Sequence, residues 1–226
     1  MYMNPIERII TLLTHQSCSI CHDAEGPLCQ QCFQAISVDR PSRCYKCNKL
    51  AKDHKTCASH HSKLRRVWWA GDYSGEMKDL IYQVKLGRDR LLARQLGQYM
   101  AELLPYLSDD VLVCPVPTAA TRVRRRGFDQ AELLARAVAR VKSLPYRPCL
   151  VRQGNFDQIG KRRSERFKQM QSSFAVRPGV DLAGRTILLV DDVLTTGATL
   201  EAAATTLRAS GTRHVDTLVV ARHLLA

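Results

Sequence analysis

The stretch Thr186–Leu200, TILLVDDVLTTGATL, constrains the fold more than any other part of the chain. Ile187 to Val190 form a short apolar run of the kind that a fully buried parallel strand requires. Asp191 and Asp192 are expected to end that strand. Thr195-Thr196-Gly197-Ala198-Thr199 follows, small and hydroxylated, with a glycine that permits close backbone approach. From Leu200 to about Ala209 the sequence is rich in alanine and leucine and reads as a helix. In open α/β sheets, ligands sit beyond the carboxyl ends of the strands. There the loop's N–H groups and the helix dipole favour a phosphate. Two carboxylates beside such a cradle suit vicinal hydroxyls, as donors, and the hydration shell of Mg²⁺. Together these groups describe a site for a ribose 5-phosphate.

Two other patterns that begin with a strand and acids do not fit. A Walker B strand needs a partner loop of the form G-x-x-x-x-G-K-[ST]. The nearest candidate, Gly154 to Arg162, has five residues between its glycines and Arg where Ser or Thr is required. A phosphoacceptor receiver domain opens in the same way, but too little chain follows Asp191 to complete one.

The arrangement resembles the 5-phosphoribosyl-1-pyrophosphate (PRPP) motif of the type I phosphoribosyltransferases: four apolar residues, two acids, then T-T-G-x-T. The resemblance implies that Asp191 and Asp192, the catalytic candidates, hold the ribose hydroxyls. It implies further that Thr195, Thr196, Gly197, Ala198 and Thr199 wrap the 5-phosphate.

Between Cys18 and Cys57, cysteine carries the information. Cys18-x-x-Cys21, Cys29-x-x-Cys32 and Cys44-x-x-Cys47 are followed by Cys57 and His60 in the place of a fourth pair. Each C-x-x-C can turn two thiolates onto one ion, and tetrahedral Zn²⁺ takes four such ligands. The simplest grouping is Cys18, Cys21, Cys29 and Cys32 at one zinc, with Cys44, Cys47, Cys57 and His60 at another. An interleaved pairing of the knuckles fits equally well, and His61 can replace His60. A redox role for a C-x-x-C pair would need a thioredoxin-like βαβ context, which this segment lacks. Poor in large apolar residues, the segment must draw much of its folding free energy from metal. Ahead of it, Asn4-Pro5 can cap a short amphipathic helix over Ile6–Leu13.

A net charge of +13 suggests a polyanionic partner, either nucleic acid or a phosphorylated small molecule. No run approaches the roughly 18 apolar residues of a membrane span. Pro5, Glu7 and Arg8 interrupt any signal-peptide core, so a cytoplasmic location is expected. Reduced cysteines in that compartment bind metal more often than they form disulfides.

From Val67 onward the pattern is α/β. Strands are expected at Val67–Tyr73, Val111–Val116, Leu150–Arg152, Phe174–Val176 and Val215–Val220. Helices are expected at Glu76–Leu86, Leu91–Leu104 and Ala131–Val141. Cys114 and Cys149 read as core. Arg122, Arg124, Arg125 and Arg126 form a basic run before a helix N-terminus, where their charge opposes the dipole and calls for an anion. Gln153–Met170, with Lys161, Arg162 and Arg163, has the length and polarity of a mobile lid. Such a lid would keep water from an oxocarbenium-like state. The fold class expected is α/β, a mainly parallel Rossmann-like sheet over residues 67–226, preceded by a small zinc-ribbon domain over 1–66.

Taken in order, the motifs are the knuckles, Tyr73-Ser-Gly75 leading to Lys85, Pro115-Val116-Pro117, Arg126-Gly-Phe128-x-Gln130, Gln158 and Arg166, then VDDVLTTGAT. Together they resemble the ComF/GntX family of competence-associated proteins with a phosphoribosyltransferase fold. Asp129 stands where that family usually carries Asn, and His60 replaces its last cysteine. The resemblance implies that Lys85 and Pro115, Val116 and Pro117 join the PRPP site, with the Pro-Val-Pro loop touching the pyrophosphate. It implies structural Zn²⁺, Mg²⁺ with PRPP, and a role in natural transformation or in using external DNA. The expected partners are PRPP, incoming single-stranded DNA along Arg122–Arg126 and Lys161–Arg163, and proteins of the competence machinery. A salvage or biosynthetic phosphoribosyltransferase and a PRPP-sensing module without turnover remain alternatives.

Overall fold

The computed structural model describes residues 17–24, 26–37, 42–153 and 173–223. The helix expected over Ile6–Leu13 lies outside these residues, as does the lid reading beyond Gln153, including Lys161, Arg162 and Arg163. The described elements, in chain order, are α1 (Gln30–Ile36), β1 (Val67–Asp72), α2 (Gly75–Leu86), α3 (Arg90–Glu102), β2 (Val111–Pro115) and α4 (Ala120–Arg126). They continue with α5 (Gln130–Lys142), β3 (Leu150–Arg152), β4 (Phe174–Val176), β5 (Thr186–Leu194), α6 (Ala198–Ala209) and β6 (His214–Arg222).

Four of the strands form a parallel sheet in the order β1-β6-β5-β2, and β3 and β4 pair antiparallel beside it. The central strands are apolar on both faces, because helices cover both. Successive side chains alternate between faces. Leu188 and Val190 join Leu80, Leu96 and Leu134 in a first core beneath α2, α3 and α5. Ile187 and Leu189 join Leu200, Ala203, Leu207 and Phe174 in a second core beneath α6 and the β3–β4 pair. Cys114 and Cys149 are buried in that second core, as expected. Where α3 crosses α5, a Cβ on Gly97 would lie 2.8 Å from Ala137 Cβ and from Leu134 O, so only glycine admits this approach.

The segment before Val67 contributes to both cores: Cys18, Leu28 and Phe33 to the first, Tyr45 and Leu64 to the second. Its two cysteine units therefore clasp the sheet from opposite sides.

The acid pair does not end its strand. β5 runs on to Leu194, because the long β6 pairs Asp191 with Val219, Val193 with Ala221 and Leu194 with Arg222. On the other side β2 stops where Pro115 meets Val190. The arginine run also differs from a simple charged approach to α5. It folds into its own short helix, α4, which ends at Gly127. Among the described residues, no helix is long and apolar enough to cross a membrane.

Candidate functional site

At the carboxyl ends of the strands, β2 and β5 lie side by side while the helices that follow them pack on different faces of the sheet. Such a switch point opens a crevice in which doubly wound sheets hold ligands. Asp191 and Asp192 stand in it, and because neighbouring strand residues face opposite ways, the two carboxylates belong to different faces. Asp192 lies on the first-core face, where Lys85, in the last turn of α2, reaches it at 2.9 Å. Asp191 lies on the second-core face. Arg152 of β3 is near enough to feel its charge, although burial and then Arg122 lower the pKa of Arg152 overall.

Burial, and next the charge of Asp192, push the Asp191 carboxyl well above the usual carboxylate range. The N–H of Asp192 donates to Asp191 Oδ1 at 2.9 Å, and Lys85 lies nearby, but these only partly offset the rise. A carboxylate raised in this way gains from donors or a cation brought by a ligand.

Beyond Leu194 the chain bends through exposed Thr195 and Thr196 to Gly197, which is buried and has φ +77°. Helix α6 begins at Ala198, whose N–H donates to Thr196 Oγ1 at 3.3 Å, so the loop leads directly into a helix N-terminus with N–H groups that lack intrahelical partners. Gly197 is required twice over. Its backbone is left-handed, and a Cβ there would lie 2.9 Å from the Tyr45 ring. One turn into α6, Glu201 accepts hydrogen bonds from Tyr45 Oη at 2.5 Å and from the Lys63 N–H at 3.0 Å, and Lys46 Nζ lies 2.9 Å away. Burial works against the Glu201 charge, but the Tyr45 hydroxyl, the Lys63 N–H and Lys46 outweigh it and hold the carboxyl below its usual range.

Pro115, Val116 and Pro117 continue β2 beside this crevice, and the Val116 N–H donates to Val190 O at 3.0 Å. Asp129, the departure from the family's Asn, caps α5. It accepts from the Ala131 N–H at 3.0 Å and from Thr118 Oγ1 at 2.9 Å, which ties the helix to the loop after Pro117. Of the arginine run, Arg122, Arg124 and Arg125 are exposed, whereas Arg126 is half-buried against Gln130. Phe128 is buried under the Arg90 guanidinium, 5.3 Å from the ring centre, and Arg90 Nη2 also donates to Gly127 O at 2.8 Å. That contact turns the aromatic ring away from any stacking role.

A cavity of about 280 Å³ lies at the opposite, amino-terminal edge of the sheet, lined by Arg65, Arg66, Arg213 and His214 among others. Two of its arginines are already matched, Arg65 by Asp216 and Arg66 by Asp53.

The cysteines gather as the simplest grouping anticipates. The ligand atoms of Cys18, Cys21, Cys29 and Cys32 lie within 4.8 Å of one another, as do those of Cys44, Cys47, Cys57 and His60. His60 Nδ1, and not His61, completes the second set, at 3.2 Å from Cys57 Sγ and 3.8 Å from Cys44 Sγ. Sulfurs bound tetrahedrally at ~2.3 Å from one Zn²⁺ stand ~3.8 Å apart. Cys21 and Cys29 are 3.9 Å apart and Cys47 and Cys57 3.6 Å. Burial opposes thiolate formation at Cys18, but the N–H groups of Cys29, Cys21 and Ile20 prevail and bring its pKa down to about 6. Cys44, held in the same way by the N–H groups of Cys57, Lys46 and Cys47, comes down to about 7. Hydrogen bonding to Cys29 leads the effects that push Cys32 up to about 12. Cys18 and Cys44 thus favour the thiolate, whereas Cys32 gains from a cation brought into the cluster. The donor sets therefore fit a metal such as zinc.

With this geometry in view, the match to known proteins is specific. The phosphoribosyl transferase domain model matches residues 91–224, and the chain belongs to that family. Within it, the chain is homologous to Competence protein ComFC of Streptococcus pneumoniae, at 27% identity over 218 residues, 94% of this chain and 95% of that protein. Competence protein F of Haemophilus influenzae is 26% identical over 220 residues, 86% of this chain and 96% of that one. The DNA utilization protein YhgH of Escherichia coli is 27% identical over 207 residues, 87% and 91% of the two chains.

Among solved structures, the allosteric regulatory enzyme of purine biosynthesis superposes with a TM-score of 0.41 at 22% identity, over 56% of this chain and 25% of that one. A Thermus thermophilus protein superposes with a TM-score of 0.36 at 20% identity, over 62% and 86%. The chain thus spans only a quarter of the first of these structures.

Proposed function

We propose that the crevice at the carboxyl ends of β2 and β5 binds PRPP with Mg²⁺, and that the protein serves DNA uptake by handling incoming single strands. The observation that supports the first part most directly is the join of β5 to α6. Two carboxylates stand on opposite faces of one strand, followed by a hydroxyl-rich loop that opens onto a helix N-terminus. In this reading Asp191 and Asp192 accept from the ribose hydroxyls, and Thr195 to Thr199 donate to the 5-phosphate. Pro115 to Pro117 border the pyrophosphate, and Lys85 leaves Asp192 to meet it. Bound Mg²⁺ supplies neutralising charge to the pyrophosphate. The exposed Arg122, Arg124 and Arg125 then offer a path for nucleic-acid phosphates beside the site. The names of the relatives as competence and DNA utilization proteins support that second part.

Calorimetric titration of PRPP, with and without Mg²⁺, tests the reading. Each charge-assisted hydrogen bond contributes about 1.5–3 kcal/mol. Asp191→Asn with Asp192→Asn should therefore weaken PRPP by roughly a hundredfold or more. Unchanged affinity in the double variant removes the assignment. Screening bases and single-stranded DNA as acceptors, with pyrophosphate release as readout, separates a transferase from a module that only binds.

A further inference from the structure

The two residues between Cys44 and Cys47 both leave the knuckle toward the phosphate loop. Tyr45 is 3% exposed, lays its ring against Gly197, and donates its hydroxyl to Glu201 at 2.5 Å, with Ser62 Oγ 2.9 Å away. Lys46 extends to Glu201 at 2.9 Å and donates to His61 O at 2.7 Å. The chain leaving the other side of the same centre, just after His60, does likewise: the Lys63 N–H donates to Glu201 Oε2 at 3.0 Å. Both arms of the second centre thus converge on one carboxylate in the first turn of α6. The N–H of that same residue closes the first helical hydrogen bond, to Gly197 O at 2.9 Å. The first centre is tied elsewhere. Phe33 meets the Tyr99 ring at 5.0 Å, and Tyr99 Oη donates to Leu28 O at 3.1 Å, both against α3.

We infer that the second cysteine centre positions the anion loop: a metal held by Cys44, Cys47, Cys57 and His60 fixes Tyr45 and Lys46, and these hold Gly197 and Glu201 in the ligand-ready arrangement. Tyr45 is a positioning residue in this scheme. It touches the loop's scaffold and not the ligand. The inference rests on the reading of the Thr195–Thr199 loop as a phosphate site. Coupling between two sites is reciprocal, so the factor by which the metal strengthens ligand binding is also the factor by which ligand strengthens metal retention. Coupled sites typically differ by roughly 5–150-fold.

A matched pair of variants tests it, since each removes one hydroxyl that joins a centre to the α/β body: Tyr45→Phe at the second centre and Tyr99→Phe at the first. Amide hydrogen exchange over residues 195–201 is the primary readout, and PRPP titration the second. Tyr45→Phe should raise exchange in that loop and weaken PRPP, each by roughly fivefold or more, while Tyr99→Phe leaves both within about twofold. Tyr45→Ala should go further, because Phe retains the ring against Gly197. In the unaltered protein loaded with two metals, saturating PRPP should slow one of two phases of chelator-driven metal release. Equal exchange in the two Phe variants, or two release phases slowed alike, overturns the coupling. The exchange comparison needs no ligand, so it still decides the coupling if PRPP itself fails to bind; that failure would count against the ligand reading alone.

Discussion

The two cysteine centres carry nearly the same ligands but attach to opposite faces of the sheet by different means. The first meets α3 mainly through the apolar packing of Leu28 and Phe33, with one hydrogen bond, from Tyr99 Oη to Leu28 O, beside it. The second meets α6 through hydrogen bonds and an ion pair gathered on Glu201. Apolar packing tolerates small shifts with little loss, whereas a carboxylate shared by three donors fixes both distance and direction. One centre is built to stabilise a layer, and the other to hold a loop.

The largest effects sharpen this difference through the metals themselves. Structural zinc contributes about 10–16 kcal/mol in small domains. Cys18→Ala and Cys44→Ala should each lower the metal content from two ions to one, measured by elemental analysis of protein purified without chelator. Loss of both ions from either variant would merge the two centres into one unit and break the comparison. Phe33→Ala comes next. It should cost about 3–5 kcal/mol of stability, seen in denaturant unfolding, yet leave PRPP affinity within about twofold. A parallel fall in affinity would make the first centre part of the site after all.

The pH dependence is smaller and belongs to the acid pair. In the free protein Asp191 titrates above the usual carboxylate range, and a ligand that donates to it or brings a cation favours the charged form. Binding below that raised pKa therefore releases a proton. Affinity for PRPP with Mg²⁺ should rise as pH rises from the ordinary carboxylate range toward that pKa, by up to about tenfold per pH unit, and then level off. Calorimetry in two buffers of different ionisation enthalpy reports the proton directly, and a flat profile would place the charge of Asp191 outside the site. The smallest effect, vanishing at high salt, concerns the basic helix α4. Replacing the exposed Arg122, Arg124 and Arg125 by Ala should flatten the log–log salt dependence of single-strand binding by about 2, at ~0.7 per phosphate neutralised. An unchanged slope would make the run a solvated face.

Much of this was legible in local spacing. C-x-x-C pairs bring their own ligands together, and the run Ile187–Val190 with its acids and small loop announces strand, turn and helix within fifteen residues. What spacing cannot carry is partnership at a distance. Nothing around Glu201 marks it as the carboxylate that Tyr45 seeks from 156 positions away. Nor does anything near Asp191 show that β6 extends far enough to carry β5 through the acid pair. Asp129 looked like a departure at an anion site, yet its oxygens serve Thr118 and the first turn of α5. The arginine run became a helix because Gly127 can end one, a local signal outweighed in the sequence by the charge beside it.

The alternation of Asp191 and Asp192 has a consequence for folding. Each carboxylate is set by a different layer: Asp192 by α2 and the first core, Asp191 by the β3 side and the second. A chain that has packed only one layer presents half of the pair, and a one-residue slip of β5 against β6 would exchange the two faces. Under the proposed PRPP assignment, ligand capture would therefore test completed assembly. A ligand that binds only the finished state stabilises it by RT ln(1 + [L]/Kd), about 2.7 kcal/mol at a hundredfold excess over Kd. On the proposed reading, binding of PRPP across the acid pair would favour a correctly assembled sheet over a partial one.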